Sequence, residues 1–109
     1  MTADRAIERE FIRALDRLEP ATVPELVAEL KDALSREGLA SAGKVDGVWV
    51  GRVLTDWSRQ EPPLAFNDFA RDDIDEHGRV ASGAARLWFS TEAAEAREAE
   101  LTRALDSLG

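Results

Sequence analysis

The sequence predicts a small, mostly α-helical single domain with one short β-hairpin near its C-terminal third. Three observations carry this expectation. Four stretches repeat their apolar side chains at helical spacing. One stretch between the third and fourth sets a polar, glycine-containing turn between apolar runs. A chain of 109 residues with 44% hydrophobic side chains makes one domain, residues 1–109, large enough to bury a core.

The first helix is expected from Ala3 to Leu18. Ile7, Phe11, Leu15 and Leu18 form its stripe, Ile12 and Ala14 widen it, Thr2 caps the start and Glu19-Pro20 ends it. The second opens on Thr22-Val23-Pro24-Glu25, a capping box with Pro24 in the tolerated first turn. Leu26, Val27, Leu30, Ala33 and Leu34 make its apolar face, and Gly38 stands where a left-handed C-terminal cap belongs. A loop from Ala40 to Val45 leads to Asp46, the expected N-cap of a third helix from Gly47 to about Arg59. Asp46-Gly47 before Val48-Trp49-Val50 also reads as a hairpin turn. The stripe Val50, Val53, Leu54, Trp57 favours the helix, because it persists where strand alternation stops. Glu61-Pro62-Pro63 ends this segment.

Beyond it, Asp75-Glu76-His77-Gly78 reads as a turn, with hairpin strands expected near Phe69–Ile74 and Ala84–Phe89. Because a strand points alternate side chains to opposite faces, one side of Leu87-Trp88-Phe89 must meet the last helix or a partner. That helix is expected from Ser90-Thr91-Glu92 to about Leu108. Leu101, Leu105 and Leu108 form its stripe, and Glu92 and Glu95 favour its N-terminal dipole. Its alanine-rich first half has a thin apolar face, suited to weak packing or to a second copy.

Several chemistries are excluded by composition. The chain has no cysteine, so disulfides, thiolate zinc sites and cysteine nucleophiles are ruled out. His77 is the single histidine. Asp73, Asp75 and Gly78 match parts of a calcium loop, but His77 and Ala84 stand where an oxygen ligand and the closing Glu are needed. Asp72, Asp73, Asp75, Glu76 and His77 are neighbours in sequence rather than ligands converging from separate elements. No phosphate-binding glycine loop, dinucleotide turn or Gly-x-Ser-x-Gly elbow occurs. A non-enzyme without metal or cofactor is expected. No apolar run approaches the roughly 20 residues that span a bilayer, and Met1–Arg5 lacks a secretory layout. The expectation is a cytoplasmic protein with no membrane contact.

The net charge is −8, which repels nucleic acid unless positive charge is gathered locally. Residues 38–60 are the one segment of net positive charge, with Lys44, Arg52 and Arg59 against Asp46 and Asp56. On a helix, Trp49, Arg52, Asp56 and Arg59 share one face beside the core stripe, with Gly51 and Thr55 near it. The same spacing permits an Arg52–Asp56 surface pair worth only a few tenths of a kcal/mol.

The order helix, helix, helix, hairpin, helix resembles the winged helix-turn-helix superfamily. Val23–Glu37 followed by Val48–Leu54 resembles a support helix and a recognition helix, and Phe69–Phe89 resembles a wing. The resemblance implies an α-α-α-β-β-α, winged-helix-like fold and a DNA-binding transcriptional regulator. Lys44, Trp49, Arg52, Thr55 and Arg59 would meet the major groove, with Arg79 and Arg86 on the wing. The separate apolar stripes of the first and last helices further suggest a homodimer through them, with residues 90–109 contributing the dimerisation helix. The competing reading is an acidic protein–protein interaction module, an adaptor or inhibitor. It is motivated by the net charge and by the acidic turn Asp72–Glu76, and its partner would be a basic protein.

Overall fold

A computed structural model of the chain describes residues 2–38, 43, 45–70, 73–82 and 86–107. The elements follow the expected order: α1 (Thr2–Leu18), α2 (Val23–Arg36), α3 (Gly47–Ser58), β1 (Ala65–Phe69), β2 (Arg86–Ser90) and α4 (Glu92–Asp106). No described helix is long and apolar enough to cross a membrane.

Local chemistry sets the helix ends. The Thr22 hydroxyl accepts from Glu25 N–H while the Glu25 carboxylate accepts from Thr22 N–H at 3.0 Å, closing the capping box. These bonds hold the Glu25 carboxyl below its ordinary range. Gly38 adopts φ +70°, the left-handed cap that a side chain would resist. Asp46 accepts from Trp49 N–H at 2.8 Å, which fixes α3 as a helix and removes the hairpin alternative. Thr91 does the same for Ala94 N–H at 3.1 Å, and its own hydroxyl donates to Pro63 O at 2.8 Å. That last bond ties the start of α4 to the segment leaving α3.

The core joins all the helices. Phe11, Ile12 and Leu15 of α1 meet Leu26, Leu30 and Leu34 of α2, Val50, Leu54 and Trp57 of α3, and Leu101 of α4 in one buried cluster. Phe11 presents its ring to Trp57 at 4.7 Å between centroids, tilted by 61°. Trp88 of β2 points into the same cluster and is buried. The core, rather than a partner, therefore takes the tryptophan side of β2.

The hairpin is displaced from its expected register. Strand pairing runs Ala65↔Ser90, Phe66↔Phe89, Asn67↔Trp88, Asp68↔Leu87 and Phe69↔Arg86. The first strand thus occupies Ala65–Phe69, not Phe69–Ile74, and the second ends at Ser90 rather than Phe89. Residues 84 and 85 lie outside the described residues. Burial explains the shift. Ala65 is fully buried, and bringing it and Trp88 to the same face places both on the core. The stretch assigned to the first strand instead leads into a small turn. There Asp75 accepts from His77 N–H at 2.9 Å and Arg79 N–H at 2.8 Å, Gly78 takes φ +77°, and Ile74 bridges Val80.

A further pairing had no counterpart in the sequence reading. Ala21, between α1 and α2, exchanges two backbone bonds with Trp88: Ala21 N–H to Trp88 O at 3.1 Å and Trp88 N–H to Ala21 O at 2.7 Å. This bridge fastens the hairpin to the α1–α2 junction.

The apolar stripe of α1, which with that of α4 suggested a dimer interface, is used within the chain; of the α4 stripe Leu101 is buried, Leu105 is half-buried and Leu108 lies outside the described residues. The two helices pack together, with Ile12 and Leu15 in one buried cluster with Ala94 and Leu101. Arg13 Nε–Glu98 and Arg97 Nε–Glu8 ion pairs, both 2.7 Å, flank the contact.

Glu10 is the one buried charged residue among those described, with 4% of its surface exposed. Burial raises its pKa, as do a hydrogen bond to Glu37 and that residue's charge, and Arg13 and Arg9 only partly oppose them. A proton held more tightly in the folded state stabilises the fold below the ordinary value of 4.5. That contribution is lost as pH rises through the raised value. Glu10→Gln keeps the shape, lets an amide N–H face Glu37, and removes the charge. Thermal melts of the variant at pH 7 are expected to exceed wild type by about 1 kcal/mol, roughly 5 °C, with the gain shrinking towards pH 4.

Candidate nucleic-acid interface

Helix α3 buries Val50, Leu54 and Trp57, and that fixes what its opposite side presents. With 3.6 residues per turn, Val48, Arg52, Thr55 and Arg59 fall together on the far face. Val48 is 70% exposed, and Arg52, Asp56 and Arg59 are exposed. Thr55 is half-buried, and its hydroxyl donates to Gly51 O at 2.8 Å within the helix.

The sequence-selected residues divide accordingly. Arg52, Thr55 and Arg59 share the exposed face of α3. Trp49 lies on the flank towards the core, half-buried, its ring 5.7 Å from Phe11. The large apolar group that α3 shows to solvent is instead Val48, which the sequence reading passed over. A helical projection centred on Val50, Leu54 and Trp57 identifies it. Lys44 lies outside the described residues.

Arg79 and Arg86 are both exposed on the hairpin. Arg79 closes the Asp75 turn through its backbone, leaving its guanidinium unused there. Arg86 pairs with Phe69 on the strand face that also carries Trp88, and its guanidinium sits 5.7 Å from the Phe69 ring centroid. Arg86 therefore lies on the side of the sheet that faces the helices.

Ion pairing separates these arginines from many of the others. Arg9, Arg13, Arg17, Arg36 and Arg97 each approach a carboxylate within 4.0 Å. Among the described residues, Arg52, Arg59, Arg79 and Arg86 form no such pair. The expected Arg52–Asp56 contact is not made. With the basic residue N-terminal to the acidic one, that order is the weaker of the two on a helix.

Against these charges stand Asp68, Asp73, Asp75 and Glu76 of the hairpin. Part of this acidity serves the local backbone: Asp75 organises the turn, and Asp68 accepts from Phe69 N–H at 2.8 Å. Among the described residues, no three acidic or histidine side chains converge as a cation site. A cleft of about 370 Å³, lined by Ile12, Arg13, Asp16, Ser90, Glu95 and Glu98, opens between α1, β2 and α4. None of its lining residues belongs to α3. Comparison with known families, curated proteins and solved structures finds no match to this chain.

Proposed function

We propose that this chain is a non-enzymatic DNA-binding domain of winged-helix type, acting in transcriptional regulation. The observation that carries the reading is the exposed face of α3. Arg52 and Arg59 stand there without a carboxylate partner among the described residues, on a helix whose other side is locked into the core. An arginine already paired inside the protein must break that contact to bind phosphate, and these need not. The exposed Arg79 and Arg86 extend the positive charge to the hairpin, which the Ala21 bridge holds against the helices. Arginine suits the role, because its planar fork matches both phosphate oxygens and the guanine edge.

The acidic remainder of the molecule shapes the expected behaviour. The proposed contact rests on Arg52, Arg59, Arg79 and Arg86, so binding is strongly salt-sensitive. If all four arginines neutralise phosphates, the log–log salt slope is about −3.6. Affinity for duplex DNA should then fall about 100-fold between 50 and 200 mM salt. Fluorescence anisotropy of a labelled random-sequence duplex pool titrated with the full chain measures this directly. Absence of binding at 50 mM salt would refute the reading.

A further inference from the structure

The outer face of the hairpin carries a second surface, independent of the arginine face. Strand alternation places Trp88 inward, so Leu87 and Phe89 point away from the core. The register sets Phe66 beside Phe89 and Asp68 beside Leu87 on that outward side. Phe66 and Phe89 stack with centroids 5.0 Å apart and planes 10° from parallel. Phe66 is nevertheless 47% exposed, and Phe89 is half-buried. An exposed aromatic pair contributes little to the fold and offers a ready apolar contact.

The neighbouring edge is open as well. Ala21 already occupies the N–H and C=O of Trp88. By antiparallel alternation the amide groups of Phe66 and Asp68 therefore face β2, and those of Asn67 face outwards. Asn67 is exposed, and its backbone groups have no partner among the described residues. An extended segment laid along β1 could exchange two bonds with Asn67.

We infer that this face docks an extended, basic segment of a partner protein. The segment would carry an apolar side chain beside Phe66 and, two residues away on the same side, a lysine or arginine beside Asp68. Charge selects this occupant. One Asp68 oxygen accepts from Phe69 N–H, and the other has no partner among the described residues. Asp73, Asp75 and Glu76 follow in the adjoining loop, and the chain as a whole carries −8. Phosphate would be repelled from such a face. A second copy would set like charges together across a two-fold axis, bringing Asp68 and its acidic neighbours near their counterparts. Because Arg86 lies on the opposite side of the sheet, occupancy here leaves the arginine face open.

The test is a titration of the ¹⁵N-labelled full chain with the capped peptide Thr-Val-Thr-Lys-Thr, and with its Thr-Val-Thr-Glu-Thr counterpart, at low salt. Saturable shifts confined to Phe66–Asp68 and Leu87–Phe89 are expected with the lysine peptide, and binding at least about fivefold weaker with the glutamate peptide. Asp68→Lys, an exposed change, should reverse that preference. Phe66→Ser should weaken binding by about tenfold. The inference is overturned by equal response to both peptides, by no response to either, or by an Asp68→Lys variant with unchanged preference. It is equally overturned if the same residues shift with protein concentration alone, or with duplex DNA.

Discussion

Trp88→Ala is expected to destabilise the domain by about 3–5 kcal/mol, the range for removing a large aromatic from a core. Trp88 is 4% exposed and belongs to the cluster shared by all four helices. Its loss leaves a cavity between the sheet and the helices, which rigid neighbours refill only partly. It also loosens the strand that exchanges 3.1 and 2.7 Å backbone bonds with Ala21. Against a total stability of about 5–15 kcal/mol for a domain of this kind, the variant keeps little margin. Urea denaturation should show the midpoint falling steeply, and hydrogen exchange should show the Ala21 and Trp88 amides losing protection first. A cost below about 1 kcal/mol would mean that the sheet is not seated on the core as described.

The paired substitution Arg52→Ala with Arg59→Ala is expected to weaken duplex binding by roughly 100-fold and to flatten the salt slope by about two. Both residues are exposed on α3 and have no ion-pair partner among the described residues, so thermal stability should stay within about 0.5 kcal/mol of wild type. Lys31→Ala with Arg103→Ala is the matched control. It removes the same two charges from exposed positions on α2 and α4, helices outside the proposed interface, and should change binding little. Equal losses from the control and the pair would reduce the effect to net charge.

The readable parts of the fold were those set by neighbours in sequence. Thr22 and Glu25 cap one another across three residues, Gly38 needs only its own φ, and Asp46 reaches only Trp49. The stripe from Val50 to Trp57 located the buried side of α3, and hence the exposed Arg52 and Arg59. What escaped depends on contacts distant in the chain. The hairpin register follows from the burial of Ala65 and Trp88 on a core supplied mostly by the helices. Ala21 forms its bridge as a single residue, and a single residue has no period to detect. Trp49 takes the flank of α3 rather than its open face through contact with Phe11 of α1, 38 residues earlier in the chain. The partnerless state of Arg52 and Arg59 likewise depends on where carboxylates of other elements end up.

These distinctions bear on how an acidic chain could meet DNA at all. Many positive charges of α1, α2 and α4 are neutralised by carboxylates of the same helices, as in Arg17–Glu29 at 2.9 Å and Arg97–Glu8 at 2.7 Å. Arg52 and Arg59 of α3 and Arg79 and Arg86 of the hairpin are exposed and form no such pair among the described residues, and under the proposed reading they are the charges that meet DNA.

Mapping duplex contacts by ¹⁵N chemical shifts on the full chain at 50 mM salt tests the central claim most directly. The account predicts that Val48, Arg52, Thr55 and Arg59 respond together with Arg79 and Arg86, while Phe66, Asp68 and Phe89 stay unmoved. Shifts confined to the outer hairpin face, or no shifts with any duplex, would contradict it.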